Sequence, residues 1–189
     1  QYGQITVSLD SADLIENRQQ IVSAWTIANN GAQPRLAMID RQRSQVILAG
    51  EAEKRRYSVE GLAYCSANTG HSTPVCAGLA PARWTQIDPG QSLGFQVVTS
   101  RARKPVEGGT ASFTLRLLFK DGGHWEFKDV NAANVPLGGR VKASFVLTFK
   151  LQNVLSVSRT TPFRCSLTVR AQANDVSADL DDVANVENN

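Results

Sequence analysis

The chain is short of several residue types, and each shortage excludes something. Aromatic residues make up 7% of the 189 residues. Most of them fall at alternating positions that read as core, so a stacking surface for nucleic-acid bases is not expected. There are two histidines, His71 and His124, and three cysteines, Cys65, Cys76 and Cys165. With so few soft donors, and none at zinc-ribbon spacing, no metal site or cofactor is expected. No run of 18 apolar residues occurs, which excludes a helical membrane span. No leader peptide is visible, although the chain begins at Gln1 rather than Met. That start fits removal of a leader, or a trimmed chain.

Basic residues are also missing from one end. No Lys or Arg follows Arg170, and the last stretch carries Asp175, Asp179, Asp181, Asp182 and Glu187. Residues 1–170 therefore hold all 20 bases against 12 acids, a net charge of +8. The three aspartates at 179, 181 and 182 lack the glycine-containing loop of a calcium site, and no Gly follows Arg140. They read as a solvated acidic tail over residues 171–189. Val176, Leu180 and Val183 sit at i, i+4 and i+7, so the tail is expected to be a short helix or disordered.

What is present in quantity is period-two alternation, the mark of half-buried strands. Ile5, Val7 and Leu9 share one side of residues 4–9. Ile21, Trp25 and Ile27 do so in residues 18–28, before the turn residues Asn29, Asn30 and Gly31. Leu36 and Met38, then residues 46–48, suggest two short strands joined by a polar connection. Leu93, Phe95 and Val97 follow the Asp88-Pro89-Gly90 turn. The clearest hairpin runs from Ala111, Phe113, Leu115, Leu117 and Phe119, through Asp121-Gly122-Gly123, to Trp125 and Phe127. Residues 141–151 predict a long strand with Phe145, Leu147, Phe149 and Leu151 on one face, paired with residues 163–169. Nine or ten short strands with almost no helical pattern predict an all-β, two-sheet antiparallel sandwich, immunoglobulin-like or jelly-roll, over residues 1–170.

Residues 50–83 are the least regular and read as an insertion in that domain. Long irregular segments in compact domains are usually functional or mobile. Cys65 and Cys76 enclose ten small, mostly polar residues there, so a local disulfide is expected in an oxidising compartment. This places the protein outside the cytoplasm: periplasmic, secreted, or on a cell or virion surface. Cys165, inside an alternating strand, reads as a buried core thiol.

Three further features carry candidate chemistry. Arg41, Arg43, Lys54, Arg55 and Arg56 bracket a polar region and form a candidate anion- or partner-binding patch, with Arg101, Arg103 and Lys104 as a second basic stretch. Gly90-Gln91-Ser92-Leu93-Gly94 matches G-x-S-x-G. A nucleophile elbow needs a helix after the serine, and an alternating strand follows instead, so no catalytic residue is expected. Residues 1–10, a strand at the chain end, can pair within their own sheet or be lent to a neighbouring subunit.

The strand ending in Trp25-Thr26-Ile27-Ala28-Asn29-Asn30-Gly31, and the Ile87-Asp88-Pro89-Gly90-Gln91-Ser92-Leu93 turn leading into a strand, resemble the extracellular immunoglobulin-like domains of bacterial envelope proteins, including the DUF4352-like group. The resemblance covers roughly residues 4–130, while the strands after Val141 and the cysteine segment fall outside it. It implies fold, compartment and binding rather than catalysis. The functional expectation is a non-enzymatic interaction module that engages a protein or a cell-surface component through its loops. The alternative is a structural subunit of a surface fibre or a viral or phage shell, assembled through edge or donated terminal strands and hence a homo-oligomer.

Overall fold

In the strand β2 (Gln20–Asn29), every second side chain from Ile21 to Asn29 is buried, with Trp25 and Ile27 among them. That alternation recurs through the molecule, whose computed structural model describes residues 2–49, 55–66, 75–103, 105, 109–121, 124–150, 152–157, 163–170 and 184–188. The described residues hold no helix. Besides β2 they form β1 (Tyr2–Ile15), β3 (Arg35–Ile39), β4 (Gln45–Ala49), β5 (Arg55–Cys65), β6 (Thr85–Ile87) and β7 (Ser92–Thr99). The later strands are β8 (Thr110–Asp121), β9 (His124–Pro136), β10 (Gly139–Lys150), β11 (Gln152–Val157), β12 (Phe163–Arg170) and β13 (Ala184–Asn188).

The all-β expectation holds, but the strands are not divided as expected. Ten of them form one open antiparallel sheet in the order β10-β1-β2-β7-β5-β4-β8-β3-β6, with β9 also paired to β8. The remaining three form a small sheet in the order β11-β12-β13. Continuity of the large sheet depends on β5. Its first residues pair with β4, from Arg55 opposite Leu48 to Ser58 opposite Gln45. Its later residues pair with β7, from Val59 opposite Thr99 to Cys65 opposite Gly94, with a register shift between Val59 and Gly61. One strand thus serves two ladders, and the irregularity at Glu60 is where it changes partner.

Bulges keep apolar faces inward. In β1 the register shifts between Leu9 and Ser11 against both neighbours. Ile5, Val7 and Leu9 are buried before the extra residue Asp10, and Ala12 is buried after it, so the alternation resumes one position later on the same face. In β9 the positive φ of Asn134 (54°) marks a similar bulge, stabilised as its backbone N–H donates to Ser112 Oγ at 3.1 Å. β3 and β4 both lie along one edge of β8. Between them residues 40–44 loop out. The Asp40 N–H donates to the Arg116 carbonyl, and the Arg116 N–H donates to Ser44 Oγ.

Strands distant in the hydrogen-bonding order meet across a single core. Trp25 of β2 packs edge-on against Phe113 of β8, with centroids 6.1 Å apart, and Phe119 of β8 against Phe149 of β10 at 5.0 Å. Leu9, Leu48, Leu62 and Leu117 belong to the same buried cluster.

Several sequence expectations are corrected. The long strand β10 pairs with β1, not with residues 163–169, which pair as β12 with β11 and β13. For residues 1–10, by contrast, the expected pairing within their own sheet holds: β1 is interior, with both edges taken by β10 and β2 of its own chain. Part of the stretch expected to be irregular is the strand β5, with Tyr57, Val59, Leu62, Ala63 and Tyr64 buried. Alternation in β9 is opposite in sense to that expected: Trp125 is 51% exposed, while Glu126 and Lys128 are buried. In the tail, Ala184–Asn188 is a strand, and residues 171–183 lie outside the described residues.

Candidate functional site

Beyond the partner change, β5 has β7 on one edge and the chain's own residues 75–80 on the other. The Ser66 N–H donates to the Val75 carbonyl (2.9 Å), Ala77 N–H to Tyr64 (2.9 Å) and Ala80 N–H to Leu62 (2.8 Å). Cys65 and Cys76 sit opposite each other across this short ladder and are joined by the expected disulfide. Residues 67–74, inside the loop it closes, lie outside the described residues, and so does His71.

The covering segment is held down at two further points. Leu79 lies over Gly61, where a Cβ would come within 3.1 Å of a Leu79 methyl, so the absence of a side chain lets the segment approach. Tyr64 accepts the Arg83 N–H on its hydroxyl (3.2 Å), and the Arg83 guanidinium stacks 4.4 Å from the ring centroid. With its backbone fixed, the segment presents apolar side chains outward: Val75 is 75% exposed, Leu79 54% and Trp84 40%. Three exposed large apolar residues within ten positions, on a stapled backbone, are suited to contact with a partner at little cost in ordering.

The arginines of the candidate anion patch are redistributed. Arg55 and Arg56 lie at the start of β5, opposite Leu48 and Ile47. Lys54 and Lys104 lie outside the described residues. Arg41 and Arg43 are in the bulge at residues 40–44. Arg41 Nη1 donates to the Glu60 carbonyl (2.7 Å), while Arg43 is 3.7 Å from Asp40. The Glu60 carboxylate accepts from Gln20 Nε2 (2.9 Å), which also donates to the Thr99 carbonyl (3.1 Å). The turn between β1 and β2 and the segment after β7 thereby join the bulge at the β5 crossover. Ala102 N–H donates to the Gln19 carbonyl, and Arg101 meets Glu16 at 3.3 Å. Arg41 and Arg43 thus lie toward the Gln45–Ser58 end of the β4–β5 ladder, near Glu60, while Arg55 and Arg56 lie toward its other end. Nothing in the sequence signals that separation, because it depends on which ladders β5 joins.

Ser92 is exposed at the first position of β7, and a strand rather than a helix follows it. Among the described residues no group of three His, Cys, Asp or Glu side chains is placed to hold a metal. Also among them, no helix is long and apolar enough to cross a membrane.

One buried polar group went unrecognised in the sequence. Lys128 of β9 is 0% exposed, with Nζ 3.6 Å from Glu126 and 4.5 Å from the Phe149 ring centroid. Arg35 stacks on the same ring at 4.9 Å. Burial pushes the Lys128 amine below its ordinary pKa, and Glu126 opposes that shift only in part. The signal was present in Glu126-Phe127-Lys128, but alternation by itself does not say which set of residues faces inward.

No family model matches the chain, and no curated protein matches it.

Proposed function

We propose that this chain is a non-enzymatic interaction module working outside the cytoplasm, a sandwich-like β-domain that binds a protein or cell-surface component through its loops. The observation that carries the reading is the stapled segment at residues 75–84, with Val75, Leu79 and Trp84 exposed on a backbone tied to β5. Binding residues concentrate on loops held by a rigid scaffold. The Cys65–Cys76 bond supports an oxidising compartment, where such bonds persist. The immunoglobulin-like resemblance of the Asn-rich and Pro-Gly turns points the same way.

The test is capture from an extract of the source cell envelope by immobilised protein, comparing the native chain with Leu79→Ser/Trp84→Ala. Both positions are exposed, so the variant is expected to fold. Loss of a saturable captured component in the variant supports the reading. Equal capture by both proteins removes segment 75–84 as the contact.

A second reading, a structural subunit of a fibre or shell, draws on the open order of the large sheet. Among the described residues β9 has a ladder on one edge only. Unpaired edges invite addition of a strand from another chain. With β1 held on both sides by its own chain, assembly would run through such an edge rather than through residues 1–10. Negative-stain microscopy with light scattering separates the two readings. Regular polymers favour the subunit, and a monodisperse monomer favours the module.

A further inference from the structure

The outer face of the β3-β8-β9 ladders is apolar, where an outer face is ordinarily polar. Register lines its residues up in two rows. Met38 of β3 lies opposite Leu118 of β8, and Leu118 opposite Phe127 of β9. In the next row Leu36 lies opposite Lys120, and Lys120 opposite Trp125. The intervening Ala37, Leu117, Phe119, Glu126 and Lys128 are buried, so the two rows face away from the core. Leu36, Met38, Leu118 and Phe127 are partly exposed, and Trp125 is 51% exposed. The outer face on the other side of the core is of a different kind. There the Ser8 and Ser144 hydroxyls share a hydrogen bond, Thr26 donates to Asp10, and Asn30 donates to Thr6.

The chain carries a second apolar face of the same width. In the small sheet Leu155 lies opposite Leu167, and Leu167 opposite Ala184. Val157 lies opposite Cys165, and Cys165 opposite Val186. Between these rows Ser156, Ser166 and Asn185 form a polar one. Period two therefore assigns the apolar set to one face of the three strands. A sheet with one apolar face must bury it against another element.

The outer face of its own chain is out of reach. β10 packs across the core from β8, with Phe149 against Phe119. Stacked sheets lie about 10 Å apart, so a layer on the outer face of β8 is about 20 Å from β10. A single residue, 151, separates Lys150 at the end of β10 from Gln152 at the start of β11. Two residue steps span about 7 Å at most. The same face on another copy carries no such restriction.

We propose that the chain self-associates head to tail, the β11–β13 sheet of one copy docking on the β3-β8-β9 outer face of the next. Two different patches meet, so the contact repeats along a filament or closes into a ring. It is independent of the contact assigned to residues 75–84. It also differs from strand addition at the β9 edge, which joins backbones rather than faces.

The test is size exclusion with light scattering over a protein concentration series. The native chain should grow beyond a monomer as concentration rises. Met38→Lys/Leu118→Glu puts a charge pair on the outer face, and Leu155→Lys/Leu167→Glu puts one on the small sheet. Each pair lies directly opposite across a ladder, so the new charges satisfy one another. Each variant alone should stay monomeric. Their mixture should form a heterodimer and nothing larger, since it retains one intact face of each kind, and that dimer also shows that both variants fold. Leu36→Ser/Trp125→Ser, a milder change to the outer face, should weaken association about tenfold or more, the scale of losing two apolar side chains from a contact. The control Gln4→Asp/Gln96→Asp, on the opposite outer face, should change it by less than about twofold. A native chain that is monomeric at every concentration, association that persists in either charge variant, a mixture without the heterodimer, or equal weakening in the control overturns the proposal.

Discussion

The Lys128 amine lies 3.6 Å from the Glu126 carboxylate two positions earlier on β9, and both residues are buried in the core rather than on the sheet's outer face. Lys128 Nζ has no hydrogen-bond partner among the described residues. A buried cation without a full set of partners favours its neutral form.

That relationship gives a pH dependence of defined sign. With its pKa lowered in the folded state, Lys128 binds fewer protons there than in the unfolded chain, across the window between its folded value and the ordinary 10.5. Stability contributed by this residue therefore rises with pH through that window and is flat above it. Urea unfolding midpoints of the native protein should climb relative to Lys128→Met between neutral pH and about pH 10. Parallel curves for the two proteins would show that Lys128 does not titrate within the fold.

Breaking the Cys65–Cys76 bond, eleven residues apart in sequence, should cost about 3 kcal/mol through the freedom returned to the unfolded loop. In a chain of this size that lowers Tm by roughly 6–12 °C. Calorimetry with and without reductant, and on Cys65→Ser/Cys76→Ser, checks it. The two treatments should agree if no other disulfide contributes.

At Gly61, the added Cβ of alanine meets Leu79 Cδ2 at 3.1 Å, and valine adds two methyls in the same space. Leu79 is more than half exposed and can swing outward, so Gly61→Ala should cost under about 1 kcal/mol. Gly61→Val should lift the segment from β5 and speed exchange of the Ala77 and Ala80 amides. Truncating the obstacle with Leu79→Ala should restore much of their protection in the Gly61→Val background, a coupling that additive effects would not produce.

The three left-handed residues of the β1–β2 turn predict an unusual ranking at position 16. Glu16→Gly removes the strain of φ 51° and should be neutral or stabilising by up to about 1 kcal/mol, despite the entropy that glycine brings. Glu16→Ile adds β-branching where it is least tolerated and should lose about 1–2 kcal/mol. Equal midpoints for the two variants in denaturant would mean that the turn relaxes to another conformation.

Much of this was legible in the chain itself. Alternation over Ile21, Trp25 and Ile27, and over Ala111 to Phe119, specified strands, since period two is a property of each segment alone, and in these two the apolar set is the buried one. The spacing of Cys65 and Cys76 specified the staple, because a short polar loop brings its own ends together. Tertiary structure decided whatever depends on partners far away in sequence. β5 joins both β4 and β7 only because its backbone shifts register at Glu60, and no pattern in residues 55–65 encodes which ladder each half will find. The same holds for β9, where Trp125 and Phe127 promised an inward face and Glu126 and Lys128 took it. The side that turns inward is set by register against β8 and by Phe149 and Arg35 across the core, and a single-residue slip would have reversed it.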